Sequence, residues 1–308
     1  MEDLLPVYLP IANLSVNGVV IVLLGALTGI LSGLFGVGGG FLTTPLLIFY
    51  GIPPTVAAAS ASTQVTGASV SGVLAHSKRK GVDYKLGAVT VVGGLLGAAI
   101  GALLFRFFQS IGQIDVVINI LYVVMLGGIG ALMAKEALGV ILPKKEVEAV
   151  AAPNRRHHPL VTALPLRWRF YRSGLYISPL APLFLGVIVG ILTMLMGVGG
   201  GFILVPAMLY ILGMSAGVVV GTSLFNILFV TIATTMMHAL TTQAVDIVLA
   251  GLLLFGSVTG AQLGTLIAQK AKPEWLRLIL AAIVLLVAFR MLIGLGFQPD
   301  EIYTVMPL

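Results

Sequence analysis

Gln64 and Asn226 are amide side chains set inside long apolar runs, and they occupy matching positions of an internal repeat. An amide left unpaired in hydrocarbon costs roughly 2–7 kcal/mol, so the pair points to a polar pathway. Hydroxyls crowd both. Ser60, Ser62, Thr63, Thr66 and Ser69 surround the first amide; Thr222, Ser223, Thr231, Thr234 and Thr235 surround the second. Serine and threonine in membrane helices also bond their own backbone, which leaves each hydroxyl a structural alternative.

Ahead of each polar cluster stands the same hexapeptide, GVGGGF, at Gly36–Phe41 and again at Gly197–Phe202. A glycine inside a helix costs about 1 kcal/mol relative to alanine, so three in a row break it. Broken backbone survives in a bilayer only where protein or a polar cavity covers it. A half-helix starting after such a break presents unpaired amides and positive potential. Two of them facing one point make an anion site without a buried cation. The candidate binding set is therefore Gly38, Gly39, Gly40, Phe41 and Thr43 with Gly199, Gly200, Gly201 and Phe202. Ser62, Thr63, Gln64, Thr222, Ser223 and Asn226 supply donors, and Gln262 is a further candidate. Tight helix packing is the other use of glycine in membranes. It suffices for Gly93, Gly97 and Gly101 and for their counterparts Gly256, Gly260 and Gly264. A nucleotide loop is excluded, because no strand precedes GVGGG and no lysine follows it.

The elements that must carry these groups are membrane helices. The 308 residues are 58% hydrophobic and 9% charged, with a mean hydropathy of +1.10; soluble domains carry about 25% charged residues. There is no cysteine, which excludes thiol catalysis, disulfides and Cys-based metal sites. The acidic start MEDLLPVYLP lacks the basic region of a cleaved signal, so the first apolar segment is expected to stay. The net charge of +6 reports topology, with no nucleic-acid partner expected.

The halves align at offsets of 161 (Gly36–Phe41 and Pro45), 162 (Gln64 with Asn226, His76 with His238) and 163 (Asp83 with Asp246). Each half reads as a helix (18–35; 181–196), a glycine break, a half-helix (41–50; 202–212) and three spans (55–76, 86–108, 113–134; 216–239, 246–269, 276–296). The half-helix rises about 15 Å, half of the ~30 Å hydrocarbon core, which makes the first pair a re-entrant hairpin. The expected fold is all-α and polytopic: a first membrane repeat over 1–138, a cytoplasmic linker over 139–178, and a second, inverted repeat over 179–308.

All lysines and arginines except Arg106 and Arg290 fall in three clusters, around Lys78–Lys85, Lys135–Arg172 and Lys270–Arg277. Three spans per half put these on one side, the cytoplasm, and both termini outside. In the linker, His157 and His158 have no acid or cysteine nearby to complete a metal site. Arg167-Trp168-Arg169-Phe170-Tyr171-Arg172 suits an anionic lipid surface. His76 and His238 are placed at span ends, as interfacial caps or as gates. Arg290 either snorkels outward or attracts an anion on its way out.

The paired helix–GVGGGF–half-helix signatures, Pro45 and Pro206 behind them, and the ASAS–Q, GTSLFN, GVDY and AVDI stretches together resemble the TauE/SafE family of membrane permeases. The resemblance covers nearly the whole chain. It implies a prokaryotic inner-membrane transporter of sulfite or small organosulfonates, without enzymatic activity, cofactor or metal. Partners would be a small anion and the bilayer, with a homodimer left open. Related thiosulfate carriers use cysteines along their path, and their absence here speaks against that chemistry. A gated anion channel or a proton-coupled importer remains the alternative.

Overall fold

The computed structural model describes residues 6–35, 40–141, 167–268 and 273–296. Gly38 and Gly39 of the candidate set, the histidine pair 157–158 and most of the linker lie outside them. In chain order the elements are β1 (Pro6–Leu9), β2 (Leu14–Asn17), α1 (Gly18–Phe35), α2 (Gly40–Phe49), α3 (Pro54–Lys78), α4 (Tyr84–Ser110) and α5 (Ile114–Ile141). They continue as β3 (Trp168–Phe170), β4 (Leu175–Ile177), α6 (Leu180–Met196), α7 (Gly201–Tyr210), α8 (Ala216–Met237), α9 (Ile247–Ala268) and α10 (Pro273–Gly296). One π-helical turn, His238–Thr242, extends α8.

The protein is an all-α polytopic membrane protein. Five of its described helices are long and apolar enough to cross a bilayer: Tyr84–Ser110, Ile114–Lys135, Gly217–Thr242, Ile247–Gly264 and Leu278–Gly296. Leu103, Val124, Phe255 and Leu286 point outward, each about two-thirds exposed (69, 68, 67 and 68%). Water would penalise such a surface; lipid accepts it.

Exchanging the two halves maps the packing onto itself. A methyl group at Gly93 or Gly97 on α4 would overlap the carbonyl oxygens of Leu183 and Val187 on α6. At Gly256 or Gly260 on α9 it would overlap those of Val22 and Ala26 on α1, which are Leu183 and Val187 shifted by 161. The reciprocal contacts repeat the pattern, with Gly186 and Gly190 against Thr90 and Gly94, and Gly25 and Gly29 against Leu253 and Ser257. Glycine here lets two backbones touch. At the centre, α3 and α8, equivalent in the two halves, cross antiparallel, joined by Thr66–Thr231 (2.9 Å) and Thr63–Thr235 (3.5 Å) hydroxyl contacts.

Each half opens with a β-hairpin that the sequence reading did not include. β1 pairs antiparallel with β2, and β3 with β4. The second hairpin falls inside the segment read as linker. It packs Phe170, Leu175 and Ile177 against Leu86, Met208 and Leu212, while Leu9 and Val16 of the first pack against Leu47, Ile52 and Leu249.

Two buried aspartates fasten each hairpin to the opposite half. Asp83 caps α4 by accepting from Leu86 N at 3.1 Å, and its other oxygen accepts from Ser173 N at 3.0 Å in the turn of the second hairpin. Asp246 caps α9 by accepting from Leu249 N at 3.1 Å, and its other oxygen accepts from Ile11 N at 3.0 Å in the turn of the first. Their own amides donate to Thr222 Oγ1 (2.9 Å) and Ser60 Oγ (3.1 Å), again across the halves.

Candidate functional site

The second glycine break shows how the chain turns. α6 ends at Gly197 with φ +73°, and Gly199 and Gly200 follow at +74° and +75°. This left-handed conformation is open to glycine and costly for residues with a Cβ. α7 then begins, its ladder opening with Ile203 N and Leu204 N donating to Gly200 O (3.1 and 2.8 Å). The amides of Gly201 and Phe202 precede that ladder, at the positive end of a ten-residue helix. The opposite, carbonyl end of α6 is matched by side chains. Met196 O accepts from Tyr122 OH at 2.7 Å and from Thr44 Oγ1 at 3.3 Å, and Met194 O lies 3.0 Å from His238 Nε2.

The starts of α2 and α7 meet. Phe41 and Phe202, each the second residue of its half-helix, stack with centroids 4.4 Å apart and planes inclined by 2°. Both rings are buried, in one apolar cluster with Ile118 and Tyr122 of α5 and Val284 of α10. α3 lies over both breaks, because a methyl group at Gly40 or Gly199 would run into Val65. α8 closes the other side, with Ile227 and Thr231 against Gly199.

The polar side chains divide into two groups. Ser62 bonds Ala58 O (3.2 Å), Thr222 bonds Val218 O (2.7 Å) and Thr231 bonds Ile227 O (2.8 Å), each one turn back in its own helix. Thr63 joins α8 through Thr235, and Thr43 is buried and engaged. The other group has buried atoms without protein partners: Gln64 Oε1, Ser69 Oγ, Ser223 Oγ, and both amide atoms of Asn226. All four residues are at most 1% exposed. Ser69 stands one helical turn after Val65 and Ser223 one turn before Ile227, on the faces applied to the breaks. Asn226 and Val230 pack against Gly94 of α4, where a Cβ would run into Val230. Buried polar groups in native proteins are almost always paired, so these four side chains stand out as candidate ligand contacts. Hydroxyl and amide donors beside two helix N-termini suit an anion.

Around the breaks the structure brings together Gly40, Phe41, Gly199, Gly200, Gly201 and Phe202, while Gln64, Ser223 and Asn226 are buried on α3 and α8. Gln262 is exposed on the outer face of α9 and stands apart from them. Ser69 joins the unpartnered group, and Tyr122 supports the break, a role no repeat signals because it has no polar mate in the second half. His238 is buried and braces the last turn of α6, edge-on to Phe105 at 5.0 Å. Arg290 lies 5.5 Å over the Phe49 ring, at the far end of α2 from the stack. No group of His, Asp or Glu side chains suited to a metal ion occurs among the described residues.

An apolar outer belt around a buried polar centre of broken helices is the build of a multi-pass membrane transport protein. The chain belongs to the family described as sulfite exporter TauE/SafE, whose model matches residues 21–291. It is 27% identical over 272 residues to the probable membrane transporter protein YjnA of Bacillus subtilis (strain 168), covering 88% of this chain and 98% of that one. YunE of the same organism, also a probable membrane transporter protein, is 27% identical over 290 residues, 89% and 97% of the two chains. The sulfite exporter TauE/SafE family protein 3 of Arabidopsis thaliana is 35% identical over 115 residues, 34% of this chain and 24% of that one. No solved structure matches the chain.

Proposed function

We propose that this transporter exports a small sulfur-containing anion, such as sulfite, sulfoacetate or a related sulfonate, across the inner membrane by alternating access. The observation that carries the reading is the set of unpartnered buried groups on Gln64, Ser69, Ser223 and Asn226 of α3 and α8, the two helices that pack against the glycines at the starts of α2 and α7. In this proposal the anionic group rests on the half-helix amides and takes hydrogen bonds from Asn226 and Ser223. The two repeats insert with opposite orientation, both termini lie outside, and rocking of one repeat against the other parts the Phe41–Phe202 stack. An inside-negative potential drives each negative charge outward by about 2.3 kcal/mol per 100 mV, so export of an anion needs no coupling ion.

The test is flux of radiolabelled sulfite, sulfoacetate and taurine in proteoliposomes under imposed potential and pH gradients. Saturable flux with counter-transport is expected, and it should be lost in Asn226→Ala and Gly200→Leu. Parental rates in both variants would sink the site. Non-saturating conductance would replace the carrier with a channel.

A further inference from the structure

We infer that the central site takes its substrate only as a monoanion: a sulfonate without a second acidic group, or sulfite in its singly protonated form, which removes sulfoacetate, a dianion at neutral pH, from the candidates. This rests on the anion-transport reading above and specifies the charge state carried. The site is built without a cation. Among the described residues the buried side chains that can carry charge are Asp83, Asp246, His238 and the phenol of Tyr122; no lysine or arginine is buried. The basic residues within the helix bundle are on its outside, with Arg106 and Arg290 both exposed.

The buried groups left unpartnered on α3 and α8 are neutral: the hydroxyls of Ser69 and Ser223, the amide oxygen of Gln64 and both amide atoms of Asn226. The only positive potential comes from two half-helix starts, each equivalent to roughly half an elementary charge. Together they offset about one negative charge. The electrostatic cost of bringing an ion out of water rises with the square of its charge while its attraction to a fixed potential rises only in proportion, so a dianion meets about four times the penalty against about twice the compensation. Acidic groups border the site as well. Asp83 N donates to Thr222, the neighbour of Ser223, and Asp246 N donates to Ser60, one turn before Gln64. No part of this arrangement favours a second negative charge.

The geometry also bears on which proton matters. The titratable groups on the elements around the centre include Asp83 from the α3–α4 turn and Asp246 from the turn before α9, whose carboxylates are taken up by helix caps and hairpin turns. His76 comes from the end of α3, His238 from the turn after α8, and Tyr122 from α5. All of them act on every substrate alike. The proton that selects sits on the substrate.

Initial efflux from proteoliposomes, clamped at zero potential and corrected for protein-free liposomes, separates these effects. Sulfite and methanesulfonate are compared at subsaturating concentration from pH 6 to 9, with sulfate alongside. Methanesulfonate keeps one charge throughout and cancels titration of the protein. The ratio of sulfite to methanesulfonate flux is expected to fall about tenfold per pH unit above the second ionisation of sulfite. Sulfate should move at less than about a tenth of the methanesulfonate rate, given the fourfold larger desolvation penalty. A flat or rising ratio overturns the inference, as does sulfate moving as fast as methanesulfonate. If methanesulfonate does not enter, sulfate against sulfite at the acid end decides in the same way. No flux of any anion would instead refute the transport reading itself.

Discussion

At Asn226 the side chain is 0% exposed and neither amide atom has a protein partner. A buried unsatisfied group costs about 1–3 kcal/mol, so the protein without substrate is destabilised at the position that binding would satisfy. Asn226→Leu, which keeps the heavy-atom branching of asparagine, should therefore keep or raise the unfolding midpoint in detergent while lowering transport at least tenfold. A fall in the midpoint would mean that the amide serves the fold. The amides were legible in the sequence because they recur at one repeat position. Choosing among the hydroxyls was harder. α8 is apolar around much of its circumference, so its phase does not show which residue faces inward. Ser62 and Thr222 turn back onto their own helices, whereas Ser69, an equally plain serine, is left without a partner.

At the scale of elements, the α4–α6 and α1–α9 seams are the same structure made twice. Gly97→Ala and Gly260→Ala would each drive a methyl into a facing carbonyl. Each should cost about 1–3 kcal/mol, by similar amounts, read from unfolding midpoints. Gly127→Ala and Gly251→Ala meet open space and should be neutral or stabilising by up to about 1 kcal/mol. Unequal costs for the first pair would show that the seams differ despite their matching contacts. The helices were legible because long apolar runs broken by Gly, Pro and basic turns leave few alternatives. The hairpins were not. Their strands are three or four residues long, and the second lies in a charged, aromatic stretch whose alternation is too short to register. Pairing Leu9 with Phe170 and Val16 with Ile177 at the offset of 161 was the signal available.

For the whole molecule, the Phe41–Phe202 stack joins the starts of the two half-helices, one from each half. The chain has no cysteine, so Phe41→Cys and Phe202→Cys can be combined in an otherwise unreactive protein. Bridging them by oxidation or a short bifunctional thiol reagent should stop transport by more than tenfold, and reduction of the disulfide should restore it. Each single variant should stay active. Continued flux in the bridged protein would mean that the halves need not part there.

The claim on which the account turns is that an anion sits against Ser223 and Asn226 in mid-membrane. Ser223→Cys, a near-isosteric change in the cysteine-free chain, allows this to be measured by its rate of modification with a small sulfonate-bearing thiol reagent applied from either side of the membrane. The account expects reaction from both sides, slowed several-fold by saturating methanesulfonate but not by sulfate. A thiol that reacts from one side only, or at a rate indifferent to methanesulfonate, would contradict it.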